Sequence, residues 1–365
     1  MDSGTFFMPE CPDMVKIVRM ERSRNQIVTL KDIAAATGYS VNTVSHALRG
    51  KQDIPEVTRS KIRQTAEEMG YINNHLASSL RLGYTRTIAV ILGDITNPHF
   101  AIMAKEIEVH AREAGYFSFL LNTDENEEIE RRAIEMALNQ NVDGIIICPA
   151  QHSRSNIEYL QNIGIPFIQI GRYFPDMDAD YVICNDEAGG FQAADYLLQK
   201  GHRRILMLAG PDYISSAKER LAGFRRAFAE RNLPLDERLI RSVPVISGGV
   251  DSVLQPVMDA EIDFTAVFAF SDLLAMDAWV FLKERGCRIP DDYSIVGFDN
   301  IHSKMSIPSR LTTISSAKTK MSIEAIDSLI ALMSEPENHQ KIHIVLDTHL
   351  IEGESVRDIS ETAAD

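Results

Sequence analysis

Eight side chains stand where apolar runs of the chain end, and their chemistry is that of holding a ligand rather than breaking its bonds. Asp94, His99 and Phe100 follow "TIAVILGD", Arg172 follows "PFIQIG", Arg220 opens a helix after "LAGPDYISS", Ser271 and Asp272 follow "AVFAF", and Asp299 ends "SIVGFD". A planar arginine fork and carboxylates grip hydroxyl-rich molecules through directional hydrogen bonds, and an aromatic ring packs on the apolar face of a sugar. Asp94 and Asp272 are equally well placed to cap the helices that follow them. No GxGxxG turn follows the first strand, no GxxxxGK[ST] phosphate loop occurs, and no Ser/His/Asp or Cys/His order falls convincingly at strand ends. The residues therefore do not read as an enzyme's, and no cofactor is called for.

The elements that position these residues alternate almost without interruption from Thr87 onward. "TIAVILGD", "YFSFLLNT", "DGIIICPA" and "PFIQIG" are apolar, β-rich runs separated by helical segments, and a second series has strands near "YVIC", "RILMLAG", "AVFAFS" and "YSIVGFD". Such runs predict parallel sheets covered on both faces. Two doubly wound halves facing each other make a bilobal body, with a ligand where the carboxyl ends of the strands meet across the cleft.

The amino-terminal stretch "TLKDIAAATGYSVNTVSHALRG" is built differently. Thr29 caps a segment with Leu30, Ile33 and Ala34 at helical spacing, and Gly38 allows the left-handed backbone that a sharp turn between helices requires. Ser40 caps the next helix, which turns Val44, Ala47 and Leu48 to one face and Val41, Asn42, Ser45 and His46 to the other. A third helix, "PEVTRSKIRQTAEEMG", is expected to bury Val57, Ile62, Ala66 and Met69 and to hold Arg59, Lys61 and Arg63 near phosphates. The arrangement is a helix-turn-helix, whose second helix reads base edges in the major groove.

Charge supports that reading once it is divided along the chain. The net charge is -15, yet residues 14–86 carry twelve Lys and Arg against six Asp and Glu; with -3 on residues 1–13, that leaves -18 for residues 87–365. A basic head on an acidic body is the pattern of a DNA-binding module joined to a sensor or assembly domain, because phosphate contacts dominate nucleic-acid affinity. Cys11, Cys148, Cys184 and Cys287 lie far apart with no CxxC pair, so neither a metal site nor a disulfide framework is expected. No apolar run reaches the length of a membrane helix and no signal-peptide core is present, so a cytoplasmic protein without membrane association is expected.

The head, with "TRSKIRQTAEEMGY" after it, resembles the lactose-repressor (LacI/GalR) family of bacterial transcription regulators nearly position by position. The resemblance continues through "DITNPHF", "VDGIII", "KGHRRI", "RLAGF", "SDLLAMDA", "IPDDYSIVGFDN" and "LTTI", from Thr29 nearly to Glu354. It implies an all-α DNA-binding head and an α/β bilobal body like that of periplasmic binding proteins. It also implies a short hinge helix in "NNHLASSLRLGYTRT", in which Leu80 wedges into a minor-groove base step. The DNA-facing set is then Thr29, Ser40, Val41, Asn42, Thr43, Ser45, His46, Arg59, Asn74, Ala77, Leu80 and Arg81. Asn42 has the amide geometry suited to adenine, and His46 stands where many relatives carry Arg. By family position Arg220 and Asp299 lead the ligand contacts, followed by Phe100, Arg172 and Ser271.

The expected division is an N-terminal extension at 1–28, a helix-turn-helix domain at 29–73, a hinge at 74–86, a bilobal domain at 87–354 and a tail at 355–365. Within the body, the N-subdomain is expected at about 87–175 and 312–338 and the C-subdomain at about 180–305 and 341–354. The resemblance implies a homodimer on a palindromic DNA operator, with a carbohydrate-like effector in the cleft shifting operator affinity. A periplasmic solute-binding protein shares the body, but would carry an export signal in place of the head.

Overall fold

The computed structural model describes residues 28–71, 84–244, 249–304, 310–335 and 340–360. The chain divides into two compact units, an amino-terminal one ending at Arg81 and a body from Leu82 to Asp365.

In the head, α1 (Leu30–Thr37), α2 (Val41–Leu48) and α3 (Glu56–Glu68) close on Ile33, Ala34, Val44, Ala47, Ile62 and Ala66. The first helix starts because Asp32 accepts from both the backbone N–H and the hydroxyl of Thr29, at 2.8 and 2.7 Å. It stops because Gly38 adopts a φ of 77°, which returns its N–H to the Ala34 carbonyl. Ser40 Oγ then accepts from the Thr43 N–H at 3.1 Å to begin α2. One expectation fails here: Val57 lies on the outer side of α3, 83% exposed. It occupies the first turn, before the helix meets the other two.

The body holds two six-stranded sheets. The first has the order β11-β5-β4-β3-β1-β2, and all its pairings are parallel. Its strands are β1 (Thr87–Leu92), β2 (Phe117–Asn122), β3 (Gly144–Ile147), β4 (Phe167–Ile170), β5 (Tyr181–Cys184) and β11 (His343–Leu346). The second has the order β12-β10-β9-β8-β6-β7, parallel except for β12. It contains β6 (Ile205–Ala209), β7 (Ile240–Ser242), β8 (Ala266–Ala269), β9 (Ser294–Phe298), β10 (Thr312–Ser315) and β12 (His349–Ile351). In each sheet the winding direction reverses beside the first strand, between β1 and β3 and between β6 and β8. Loops diverge at such a point and leave a crevice at the carboxyl ends.

Helices cover both faces. On the first sheet these are α4 (Pro98–Glu113), α5 (Glu127–Asn139), α6 (Ser155–Ile163) and α11 (Lys318–Ser334); on the second they are α7 (Asp186–Gln199), α8 (Ser215–Glu230), α9 (Val250–Asp259) and α10 (Asp272–Glu284). The central strands of both sheets are buried on two sides, and each sheet has two apolar clusters, as continuous apolar strands require.

The sheet memberships correct the expected subdomain boundaries. β5 belongs to the first sheet, where Gln169 pairs with Tyr181 and Ile170 with Val182, and β11 lies beside it. β10 belongs to the second sheet, between β9 and β12. The chain thus changes lobe three times, between β5 and α7, between β10 and α11, and between β11 and β12. Local pattern marks 181–184 and 312–315 as strands, but only long-range register decides which sheet receives them.

Candidate functional site

The crevice between the lobes is built around two arginines. Arg172, just past β4, makes a paired contact with Glu125, Nη1 to Oε2 at 2.6 Å and Nη2 to Oε1 at 3.0 Å, and also donates to the Pro149 carbonyl. Arg220, in the second turn of α8, donates from Nε to Asp186 Oδ1 at 2.7 Å and from Nη1 to the Phe270 carbonyl at 2.5 Å. Its guanidinium stacks 3.6 Å from the Phe298 ring. All four charged side chains are buried, so each arginine depends on its carboxylate to offset lost hydration.

Arg220 reaches Asp186 because α7 and α8 cross closely. A Cβ on Gly190 would stand 2.1 Å from the Arg220 carbonyl oxygen, and one on Gly223 would stand 2.0 Å from that of Glu187. Only hydrogen fits at either position.

Asp299 lies between the lobes. Its Oδ1 is 3.6 Å from Arg220 Nη2 and 3.5 Å from His99 Nδ1 of the opposite lobe, longer than hydrogen bonds to either. Burial raises its carboxyl to about 6 against the opposing pull of Arg220, Lys318 and Arg172. Burial, then the nearby Lys318, Arg220 and Arg172, hold His99 well below the usual imidazole range, so its ring is neutral. Asp299 has a φ of 107° and Asn300 a φ of 51°, regions that L side chains avoid at a cost of about 1–3 kcal/mol each. Lys318 Nζ donates to both of their carbonyls at 2.7 Å and fixes that turn.

A second set of contacts joins the lobes beside the arginines. Gln151 Oε1 accepts from the Ser215 N–H at 2.9 Å, the Tyr173 N–H donates to Ser215 Oγ at 3.3 Å, and the Tyr173 hydroxyl donates to Glu219 at 3.0 Å. Burial, then the charge of Asp186, raises the Glu219 carboxyl to about 7. This arrangement can clasp a small polar molecule between facing hydrogen-bonding groups. Among the described residues, no group of three or more His, Cys, Asp and Glu is arranged to hold a metal ion.

Residues 85–351 match the family described as periplasmic binding proteins and sugar binding domain of LacI family, and residues 29–74 match bacterial regulatory proteins, lacI family. The chain belongs to the LacI family of bacterial transcriptional regulators. The regulator is 34% identical over 300 residues to the HTH-type transcriptional regulator DegA of Bacillus subtilis, an alignment covering 81% of this chain and 88% of that protein. It is 29% identical to the HTH-type transcriptional repressor PurR of Actinobacillus pleuropneumoniae, covering 92% and 100% respectively. Among solved structures it resembles the transcriptional regulator CelR in complex with cellobiose, with a TM-score of 0.67 and 27% identity over 90% of this chain and 99% of that one.

In this LacI-family regulator, four of the eight residues picked out at strand ends converge on the crevice: His99, Arg172, Arg220 and Asp299. Asp272 is held inside its own lobe, accepting from Thr313 Oγ1 at 2.5 Å and the Ile301 N–H at 2.8 Å, and burial, then the charge of Asp299, raises it to about 8. Ser271 is spent as the cap of α10, accepting from the Leu274 N–H. Asp94 accepts from the N–H and hydroxyl of Thr96 and shapes the turn before α4, which Asn97 caps. Phe100 is buried in the core of the first lobe.

Sequence reasoning missed Glu125, Asp186, Lys318, Gln151, Tyr173, Ser215 and Glu219. Glu125 was within reach of the same criterion, since it follows "YFSFLLNT" at the carboxyl end of β2. Asp186 opens the helix after "YVIC", and Tyr173 and Glu219 adjoin the two arginines.

In the head, Val41 and Asn42 are exposed at the start of α2, while Thr43 and Ser45 are half-buried. Thr29 and Ser40 are exposed and serve as caps. His46 is not freely presented, because its Nδ1 lies 2.8 Å from Asp53 Oδ2. Arg59 folds back to the Gly50 and Lys51 carbonyls and pairs with Glu56, so a phosphate contact would require it to leave them. Asn74, Ala77, Leu80 and Arg81 lie outside the described residues.

Proposed function

We propose that this regulator is a repressor that binds a palindromic DNA operator as a homodimer and whose operator affinity is set by a carbohydrate-like effector held between the lobes. The observation that carries the reading is the facing set of Arg220, Asp299 and His99, a buried group of donors and acceptors drawn from both lobes. That the structural relative CelR forms a complex with cellobiose supports a sugar as the ligand. The head supports operator reading by Val41 and Asn42, with Thr43, Ser45 and His46 behind them on α2, phosphate contacts near Thr29, Ser40 and Arg59, and hinge contacts from Asn74, Ala77, Leu80 and Arg81.

Self-association is supported by apolar side chains left on the surface of the body. Phe117 is 71% exposed on the edge strand β2, with Phe119 and Leu120 beside it, and Met276 and Val280 are exposed on α10. An edge strand with exposed aromatic residues invites a partner. The reading places the protein in the cytoplasm on nucleoid DNA and gives it no catalytic role; no helix among the described residues is long and apolar enough to cross a membrane.

The ligand acts by population shift. It touches both lobes, so it favours the arrangement in which both sets of groups face it, and the dimer transmits that arrangement to the heads. Retention on a palindromic duplex that falls steeply with added salt supports the reading. Salt-insensitive or absent retention contradicts it.

A further inference from the structure

We infer that the effector is an uncharged polyhydroxy compound, a sugar or sugar alcohol carrying no phosphate, carboxylate or amine, because the cleft's buried cations are committed within the protein and its unspent polar groups suit a hydroxyl. The inference rests on the carbohydrate reading above and narrows it.

Both guanidinium groups are taken up within their own lobes, Arg172 by Glu125 and the Pro149 carbonyl, Arg220 by Asp186 and the Phe270 carbonyl. Lys318 donates to the Asp299 and Asn300 carbonyls. An anionic ligand could meet Arg220 only at Nη2, beside the Asp299 carboxylate, and to gain any further donor it would have to draw a cation away from a buried partner and leave that partner's charge uncompensated. What faces the cleft instead is the Asp299 carboxylate and the His99 Nδ1, which has no hydrogen-bond partner. A carboxylate repels a phosphate or a uronate, but accepts a hydroxyl proton. An uncharged imidazole nitrogen serves a hydroxyl as either donor or acceptor, depending on the tautomer. One hydroxyl between Asp299, His99 and Arg220 would bridge three groups that stand 3.5 and 3.6 Å apart without bonding one another.

An ammonium group is disfavoured for the complementary reason. Glu125 and Asp186 are bound to arginines, and Asp272 is bound to Thr313 and the Ile301 N–H. Glu219 already accepts from the Tyr173 hydroxyl, and burial raises its carboxyl to about 7; Asp299 already has the charges of Arg220, Lys318 and Arg172 around it.

The test is thermal-shift screening followed by calorimetric titration of the full-length protein with sets matched on one carbon skeleton. Suitable sets are glucose, glucuronate, glucose 6-phosphate and glucosamine; galactose and galacturonate; ribose, ribitol and ribose 5-phosphate; and cellobiose with cellobionate. The expected result is stabilisation by at least one neutral member, with its charged counterparts binding ~10-fold or more weakly. Glu125→Gln, which releases Arg172, is expected to narrow that gap for the anionic counterpart. A charged member binding as tightly as its neutral counterpart in the wild type overturns the inference but leaves the carbohydrate reading intact. Binding of no member overturns both.

Discussion

The Tyr173 hydroxyl donates to Glu219 across the cleft at 3.0 Å, and each residue stands one position from an arginine that is locked inside its own lobe, Arg172 to Glu125 and Arg220 to Asp186. Adjacent positions thus do two jobs, one orienting a cleft arginine and the next joining the lobes. The position of either arginine is coupled through a single peptide unit to whether the lobes meet.

Tyr173→Phe removes the donor of this bond without changing the ring. The bond is present without ligand and its loss is expected to cost about 1 kcal/mol, so effector binding should weaken several-fold and the melting temperature of the free protein should fall modestly. Calorimetric titration of wild type and variant checks it.

Lobe closure is also expected to depend on pH. The Glu219 carboxyl is raised to about 7, Asp299 to about 6 and Asp272 to about 8, each first by burial. An acid whose native pKa is raised holds its proton more tightly when folded, so its contribution is fully present below the unfolded value and is lost as pH rises through the native one. The depressed imidazoles of His99, His202 and His302 act in the opposite sense up to their ordinary value of 6.5, so thermal stability is expected to fall from about pH 6.5 to about pH 8. Glu219→Gln is expected to flatten the part of the profile around neutrality and leave the rest. Melting curves across that range, for both proteins, give the comparison.

Arg220→Ala is expected to abolish effector binding and to leave Asp186 buried without its partner. Breaking a buried pair in this way costs about 3–5 kcal/mol. The additional change Asp186→Asn should restore much of the stability without restoring binding. Urea denaturation of the two variants separates the folding effect from the ligand effect.

Gly190→Ala tests whether the close crossing of α7 and α8 sets the arginine. The new methyl would collide with the Arg220 carbonyl, and overpacking of this kind costs about 1–3 kcal/mol. Both stability and effector affinity should drop together, read by denaturation and titration on the same preparation.

Asn42→Ala leaves the head folded, because Asn42 is exposed and the apolar contacts come from the other face of α2. Operator affinity is expected to fall by about 1–3 kcal/mol with discrimination relaxed at one base pair. The slope of affinity against salt should not change, since no phosphate contact is lost. Anisotropy titrations over single-base operator variants at several salt concentrations measure both quantities.

Much of this was legible in the sequence where the causes are local. Thr29 with Asp32, Gly38 and Ser40 declare the first two helices through capping and a left-handed turn. Val57 misled because helical spacing continues into the first turn, where Arg59 rather than Val57 turns back onto the head. In the body, Arg172, Arg220, Asp299 and His99 were found because strand ends mark the crevice. Glu125 and Asp186 also follow strand ends, but their pairing with Arg172 and Arg220 spans 47 and 34 residues, distances that no local pattern encodes. The same limit misassigned β5, β10 and β11, whose sheet is chosen by register with strands far along the chain.

The measurement that bears most directly on the account is operator affinity of the full-length protein, with and without a saturating amount of the sugar that stabilises it in the thermal screen. Coupling through the cleft predicts a change of about 5-fold or more, with the operator altering sugar affinity by the same factor. Identical operator affinity under conditions where the sugar is demonstrably bound would contradict it.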